Sequence, residues 1–219
     1  MNEKTRRILL EGAIEIGAPL SETQLDLFSK YMAELVKWNK KLNLTSLDNE
    51  IDIAVKHFID SLTPLVHIGM GSFVMDLGSG AGFPGIPMKI ARSDLRLLLI
   101  ESTGKKVAFL NNLVRQLKLS NIRSIAQRAE SETFGKIMEG HLDVVISRAF
   151  GDTEKILEIG APYLKKGGKL IAMKGARWNE TENPDDFRTG AHRLIRREAV
   201  ELELPALGDR RALLIYEKG

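Results

Sequence analysis

The chain has 219 residues, 43% of them apolar, with a net charge of +3 and no cysteine. That length and apolar content suit one large domain, or a domain with a smaller appendage, around a packed core. The absence of cysteine excludes disulfides, zinc–thiolate centres and thiol nucleophiles, and the longest aliphatic run, LRLLLI at 95–100, is far too short to span a bilayer. Glu11 and Glu15 interrupt the basic, then apolar N-terminus, so no signal-peptide core is expected there. A soluble, cytoplasmic protein without membrane partners is expected, and nothing requires more than a monomer. The small positive charge is compatible with an anionic partner without demanding one.

Residues 1–68 read as a helical region. Ser21 is placed to cap a helix, with Gln24 three residues on where a capping-box partner belongs. Leu25, Phe28, Met32, Leu35 and Val36 then recur at helical spacing. A second amphipathic run, IDIAVKHFIDSLTPL at 51–65, follows NLTSLDNE, and Pro64 with Gly69 and Gly71 closes the region. From residue 69 to 219 apolar stretches alternate with helical ones. The strands expected are FVMDL (73–77), LRLLLIE (95–101), IRSIAQ (122–127), LDVVISRA (142–149), KLIAMKG (169–175), AVELELP (199–205) and RALLIYEK (211–218). Helices are expected from Pro84, through KKVAFLNNLVRQLKL, briefly after 127, before Pro162, and as a polar stretch after 175. This alternation predicts an α/β, Rossmann-like domain with a mostly parallel seven-stranded sheet. The short connection at Gly208-Asp209 makes its last two strands an antiparallel hairpin at one edge.

The turn after the first strand, DLGSGAGFPGIP at 76–87, is the expected ligand site. Bare backbone there permits close approach, and helix amides point outward. GAGFPG also satisfies G-x-G-x-x-G, a weak dinucleotide signal. Asp76 decides between cofactors. A carboxylate repels a pyrophosphate but attracts the ammonium and sulfonium of S-adenosylmethionine, by roughly 4 kcal/mol at ~4 Å and an effective dielectric of about 20. Asp76 can also serve as a turn-stabilising acceptor. Glu101, at the second strand tip, is placed to accept from ribose hydroxyls or to favour the next helix N-terminus, and Ser102 and Thr103 continue that edge. Ala129 and Glu130 follow the third strand, where an adenine ring lies in such sheets. Arg148 ends the fourth strand, beside the transferable group.

The chemistry narrows by absence. There is no cysteine for pyrimidine C5 activation, and the fourth strand tip reads SRAF instead of the D/N-P-P-Y/F used on exocyclic amines. Guanine N7 needs neither device, only alignment and desolvation, with Arg148 holding O6 or a phosphate. Enzymes acting on oxygen or on protein also lack these motifs, so other acceptors stay open. Lys165, Lys166, Lys174 and Arg177 belong to a basic cluster in the last third, beside Trp178 as a stacking platform, which reads either as a nucleic-acid footprint or as a solvated face.

KWNKKLNLTS (37–46), HFIDSL (57–62), DLGSGAGFPGIP (76–87), ES-x-x-KK-x-x-FL (101–110), RAE (128–130), SRAF (147–150) and KG (174–175) together resemble the ribosomal RNA small subunit methyltransferase G family, also called glucose-inhibited division protein B. The resemblance spans nearly the whole chain. It implies a class I S-adenosylmethionine-dependent methyltransferase preceded by a small helical region, acting on guanine N7 at nucleotide 527 in the 530 loop of 16S ribosomal RNA. The substrate would be free RNA, the 30S subunit or an assembly intermediate. By that similarity Gly78, Phe83, Ala129, Glu130 and Arg148 line the cofactor pocket, with Glu101, Ser102 and Thr103 on the ribose edge; Asp76 and Gly80 of the loop join them on the reading above, and Arg148 is the expected catalytic group. Asn43, His57 and Asp60 lie on the RNA face, although His57 and Asp60, three apart on one helix, can instead pair with each other. No metal is implied. An NAD-dependent oxidoreductase and a non-catalytic RNA-binding module are the competing readings.

Overall fold

The computed structural model of the chain describes residues 1–128, 137–148, 152–176, 178 and 183–219. Helix α1 (Glu3–Glu15) is followed by α2 (Glu22–Leu42). Ser21 and Gln24 form the expected capping box: the Gln24 N–H donates to Ser21 Oγ at 3.3 Å and the Ser21 N–H to Gln24 Oε1 at 2.8 Å. The buried stripe of α2 is Leu25, Phe28, Tyr31, Met32 and Leu35, and Val36 is left exposed. Residues 50–67 are helical throughout, passing from α3 (Glu50–Ile53) through a π-helical stretch (Ala54–Ile59) and α4 (Asp60–Leu62) to a 3-10 turn (Thr63–His67). π-helical segments are rare and frequently fall at functional sites.

The α/β part follows as β1 (Phe73–Leu77), α5 (Gly85–Ala91), β2 (Arg96–Glu101), α6 (Gly104–Gln116), β3 (Ile122–Ala126), β4 (Leu142–Arg148), α7 (Thr153–Gly160), β5 (Leu164–Lys174), β6 (Asp186–Thr189), β7 (His192–Glu203) and β8 (Arg210–Lys218). The strand order is β3-β2-β1-β4-β5-β8-β7-β6, with the first five strands mutually parallel and the last three antiparallel. Alternate strand residues enter opposite cores. Val74, Leu99, Val144, Ile146 and Ile171 join α1, α2, the 50–67 segment, α5 and α6 on one face. Met75, Leu77, Ile100, Val145 and Leu170 pack with α7 on the other. Chain order reverses between β1 and β4, which opens a crevice beyond their carboxyl ends.

Two expectations are corrected. The described sheet has eight strands, not seven, because the polar stretch after 175 contributes β6 and the start of β7, not a helix, among the described residues. Charge hid it. Arg193 of β7 pairs with Asp186 of β6 at 2.6 Å across a two-residue connection, so no apolar alternation reaches the sequence. The β7–β8 pair is antiparallel as expected, but β8 lies inside the sheet and β6 forms the edge. The short helix expected after 127 falls mostly outside the described residues. Among those described, no helix is long and apolar enough to cross a membrane.

Candidate active site

The glycine loop leaves β1 under tight control. The N–H groups of Gly78 and Ser79 both donate to Ile100 O of β2, at 2.9 and 3.0 Å. Gly80 takes φ +56°, and a Cβ there would meet nothing nearer than Gly78 O at 3.8 Å, so the loop's outer face is bare. Gly85 is required for a different reason: its Cβ would collide with Leu99 Cδ2 and stand 2.8 Å from Asp76 Oδ2. Two carboxylates brace the loop. Glu101 Oε2 accepts from the Gly80 N–H at 3.0 Å and its Oε1 from the Thr103 N–H at 2.8 Å. Asp76 Oδ2 accepts from the Gly85 N–H at 2.9 Å.

Asp76 is fully buried behind the loop, so it meets no ligand directly in this conformation. Its Oδ1 has no hydrogen-bond partner, and burial pushes its pKa up to about 7. Positive charge in front of the loop would relieve that orphaned oxygen through its field. The bare face at Gly80 and the unsatisfied carboxylate behind it therefore fit a cationic, nucleoside-bearing cofactor. Ser102 and Thr103 stand exposed on the rim of β2. Ala129 and Glu130, assigned to the adenine side, lie outside the described residues.

Arg148, at the tip of β4, is the hub of the second half. Its Nη1 donates to Lys56 O at 2.9 Å and to Asp60 Oδ2 at 3.2 Å, and its Nη2 to His57 Nδ1 at 3.1 Å. Its Cζ lies 4.9 Å from the centroid of the Phe83 ring. Because a guanidinium only donates, His57 Nδ1 must be unprotonated, and Nε2 then carries the proton toward Thr45 Oγ1 at 2.7 Å. Burial, reinforced by Arg148, pushes the His57 pKa down to about 3, which keeps the ring neutral. Phe83 is stacked between His57, at 4.4 Å, and Tyr31, at 5.4 Å, and is 5% exposed, so it serves the core as much as the pocket.

His57 and Asp60 do not pair with each other; Arg148 lies between them. Arg211 of β8 brings its Nε within 3.3 Å of Asp60 Oδ1. Lys56, His57, Asp60, Arg148, Lys174 and Arg211 line a cleft of about 460 Å³ beside the hub. Burial lowers the Lys174 pKa. Asn43 caps α2 with φ +47° and is exposed, and it is not among the residues that line this cleft.

The structure does not bring Lys165 and Lys166 to the site. They begin β5, at the amino edge of the parallel strands, whereas Lys174 ends it. Lys165 is moreover paired with Asp143 at 2.5 Å. Arg177 lies outside the described residues. Tyr31, Asn39 and Arg211 were missed. Tyr31 donates to Ala81 O at 2.6 Å, holding the glycine loop. Asn39 clamps Thr45 through two 2.9 Å bonds. Asn39 sits in the KWNKKLNLTS motif, and a charge heading the apolar run RALLIYEK was the signal for Arg211.

The sheet is doubly wound, with a glycine loop after β1, an acid at the β2 tip and an arginine at the β4 tip. Solved methyltransferases share its fold. One from Geobacter sulfurreducens matches with TM-score 0.57 and 15% identity over 86% of this chain and 90% of that one. An S-adenosylmethionine-dependent methyltransferase from Aquifex aeolicus matches with TM-score 0.54 and 16% identity over 80% and 96%. The chain belongs to the rRNA small subunit methyltransferase G family, whose sequence model matches residues 24–212. The family's relative in Geotalea uraniireducens, named ribosomal RNA small subunit methyltransferase G, is 39% identical over 100% of this chain and 99% of its own.

Proposed function

We propose that the chain transfers a methyl group from S-adenosylmethionine to guanine N7 at nucleotide 527, in the 530 loop of 16S ribosomal RNA. The observation that carries this reading is the state of the groups around Arg148. Guanine N7 offers an in-plane lone pair and loses no proton on alkylation, so it requires no general base. Among the described residues, the bases beside Arg148 face guanidinium groups, and Asp60 Oδ1, which takes no hydrogen bond, is buried against Arg211. The unprotonated nitrogen of neutral His57 accepts from Arg148, and Asp60 faces two guanidinium groups. A site built to deprotonate an amine or hydroxyl would hold an acceptor free.

When bound, S-adenosylmethionine would supply an electrophilic methyl group on sulfur. The chain's own residues supply alignment. The bare face of Gly78 and Gly80, with Glu101, Ser102 and Thr103, would hold the cofactor, and Ala129 and Glu130 would close its adenine side. Arg148 has five N–H donors, of which Lys56, Asp60 and His57 engage three, so two remain for guanine O6 or a phosphate. Lys174 and Asn43 would face the RNA. The helical region 1–68 supplies the walls of the mouth, and the unit 69–219 supplies the cofactor floor. The enzyme would act as a cytoplasmic monomer on the small subunit or an assembly intermediate.

The test is methyl transfer from labelled S-adenosylmethionine to 30S subunits from cells lacking this enzyme, followed by borohydride and aniline cleavage and primer extension. One enzyme-dependent stop in the 530 loop is expected. Label without cleavage would discard the N7 assignment, and no label on subunits or free RNA would discard methyl transfer to ribosomal RNA.

A further inference from the structure

Resting on the proposed RNA methyl transfer, we infer that the end of the α2–α6 helix pair, carrying Lys40, Lys41, Lys105 and Lys106, is a docking surface for the RNA backbone flanking the target base. The two helices run antiparallel. Asn112 Nδ2 of α6 donates to Glu34 Oε2 of α2 at 2.9 Å, and the Trp38 and Phe109 rings meet at 5.7 Å. One turn onward along α2 comes Lys41, and one turn back along α6 come Lys105 and Lys106, so the three share the end of this contact. Lys40 flanks it. That end lies at the carboxyl edge of the sheet, because α6 begins directly after Glu101, Ser102 and Thr103 at the cofactor rim.

Charge balance separates these lysines from several other cations, though Lys4, Lys30, Lys118 and Lys166 are likewise unpaired among the described residues; position at the helix-pair end is what sets the four apart. Lys56, Lys165, Arg193 and Arg197 each have a carboxylate partner. Lys40, Lys41, Lys105 and Lys106 make no ion pair or side-chain hydrogen bond among the described residues. Lys40 and Lys41 at least lie in the last turn of α2, where its dipole favours them. Lys105 and Lys106 have no such reason. They occupy the first turn of α6, where the dipole opposes positive charge; that turn carries no acid of its own, and Glu101 just before it is engaged by the Gly80 and Thr103 N–H groups. The fold is poorer for these two charges, and a polyanion lying across both helices would neutralise them. Lys56, Lys174 and Arg211 line the cleft beside Arg148. An RNA strand presenting a base to Arg148 and crossing the helix pair would therefore meet cations at both places.

The test compares the parent with the triple variant Lys41→Gln, Lys105→Gln, Lys106→Gln and a control, Lys165→Gln with Lys166→Gln at the opposite edge. Affinity for a 16S RNA fragment is measured by filter binding across a salt series, alongside cofactor calorimetry and methyl transfer to 30S subunits. The triple variant is expected to lose roughly tenfold or more in RNA affinity, and its slope of log affinity against log salt to flatten by about 2. Cofactor affinity should stay unchanged and the control should lose little. Unchanged RNA affinity and slope, or an equal loss in the control, would overturn the surface. So would a loss on 30S subunits with none on free RNA, which would assign the lysines to a ribosomal protein, and so would a parent that binds no RNA. A parent that binds RNA through these lysines but transfers no methyl group would instead overturn the proposed reaction and leave the surface standing.

Discussion

Arg148 joins residues far apart in sequence: Lys56, His57 and Asp60 on one helical segment, and the Phe83 ring on the glycine loop. A lysine could keep the charge but not three directed contacts from one planar group. Arg148→Lys should therefore lower kcat for methyl transfer by about 100-fold, with a melting temperature within a few degrees of the parent. Steady-state kinetics beside thermal unfolding checks this, and near-parental kcat would remove Arg148 from the alignment role. Two buried groups give stability opposite pH dependences. His57 titrates near 3 in the fold against 6.5 in the free imidazole, so the unfolded chain binds more protons between those values and stability falls as pH drops through that window. Asp76 titrates near 7 against 3.8, so the folded chain holds the extra proton and its contribution is lost as pH rises from about 4 to 7. His57→Gln should flatten the loss of melting temperature between pH 7 and pH 5, and Asp76→Asn should steepen it. Parallel profiles for both variants and the parent would contradict these environments. The partners of these groups could not be read in advance. His57 and Asp60 carried a helical spacing that allowed a direct pair, and only the β4 tip arriving between them decided otherwise.

At the scale of elements, the glycine loop separates strain from collision. Gly80→Ala adds a side chain to open space at φ +56°, costing about 1 kcal/mol of backbone strain. Gly85→Ala drives a Cβ against Leu99 and Asp76, for about 2–3 kcal/mol. With about 2–4 °C per kcal/mol for a chain of this size, Gly85→Ala should melt markedly earlier. Gly80→Ala should chiefly weaken cofactor affinity in calorimetry. Equal melting temperatures would show that the loop yields more than its packing implies. The elements around this loop were legible because they are buried on both faces: FVMDL, LRLLLIE and LDVVISRA announce themselves as apolar runs. The β6–β7 hairpin was not. Its residues answer to charges on the neighbouring strand, and a single sequence does not display which strand will be the neighbour.

For the molecule as a whole, the helices before β1 are not an attachment. Phe28, Tyr31, Leu35 and Phe58 share one continuous core with Val74, Leu99, Ile171 and Ile215. A fragment of residues 69–219 would expose that face of the sheet, so it should fail to give a cooperative melt, while the full chain should unfold in one calorimetric transition. A folded fragment would break that expectation. The order of the strands has a separate consequence, for synthesis. Among the described strands β8 is made after all the others, yet it stands between β5 and β7 and provides the only described ladder through which the β6–β7 hairpin joins the sheet. A growing chain can assemble the parallel half, glycine loop included, while residues 210–218 are still to come. Until they emerge, the exposed edge of β5 is an open template, and the hairpin waiting beside it has nowhere to bond. The vulnerable moment in building this sheet therefore falls after its glycine loop is already in place.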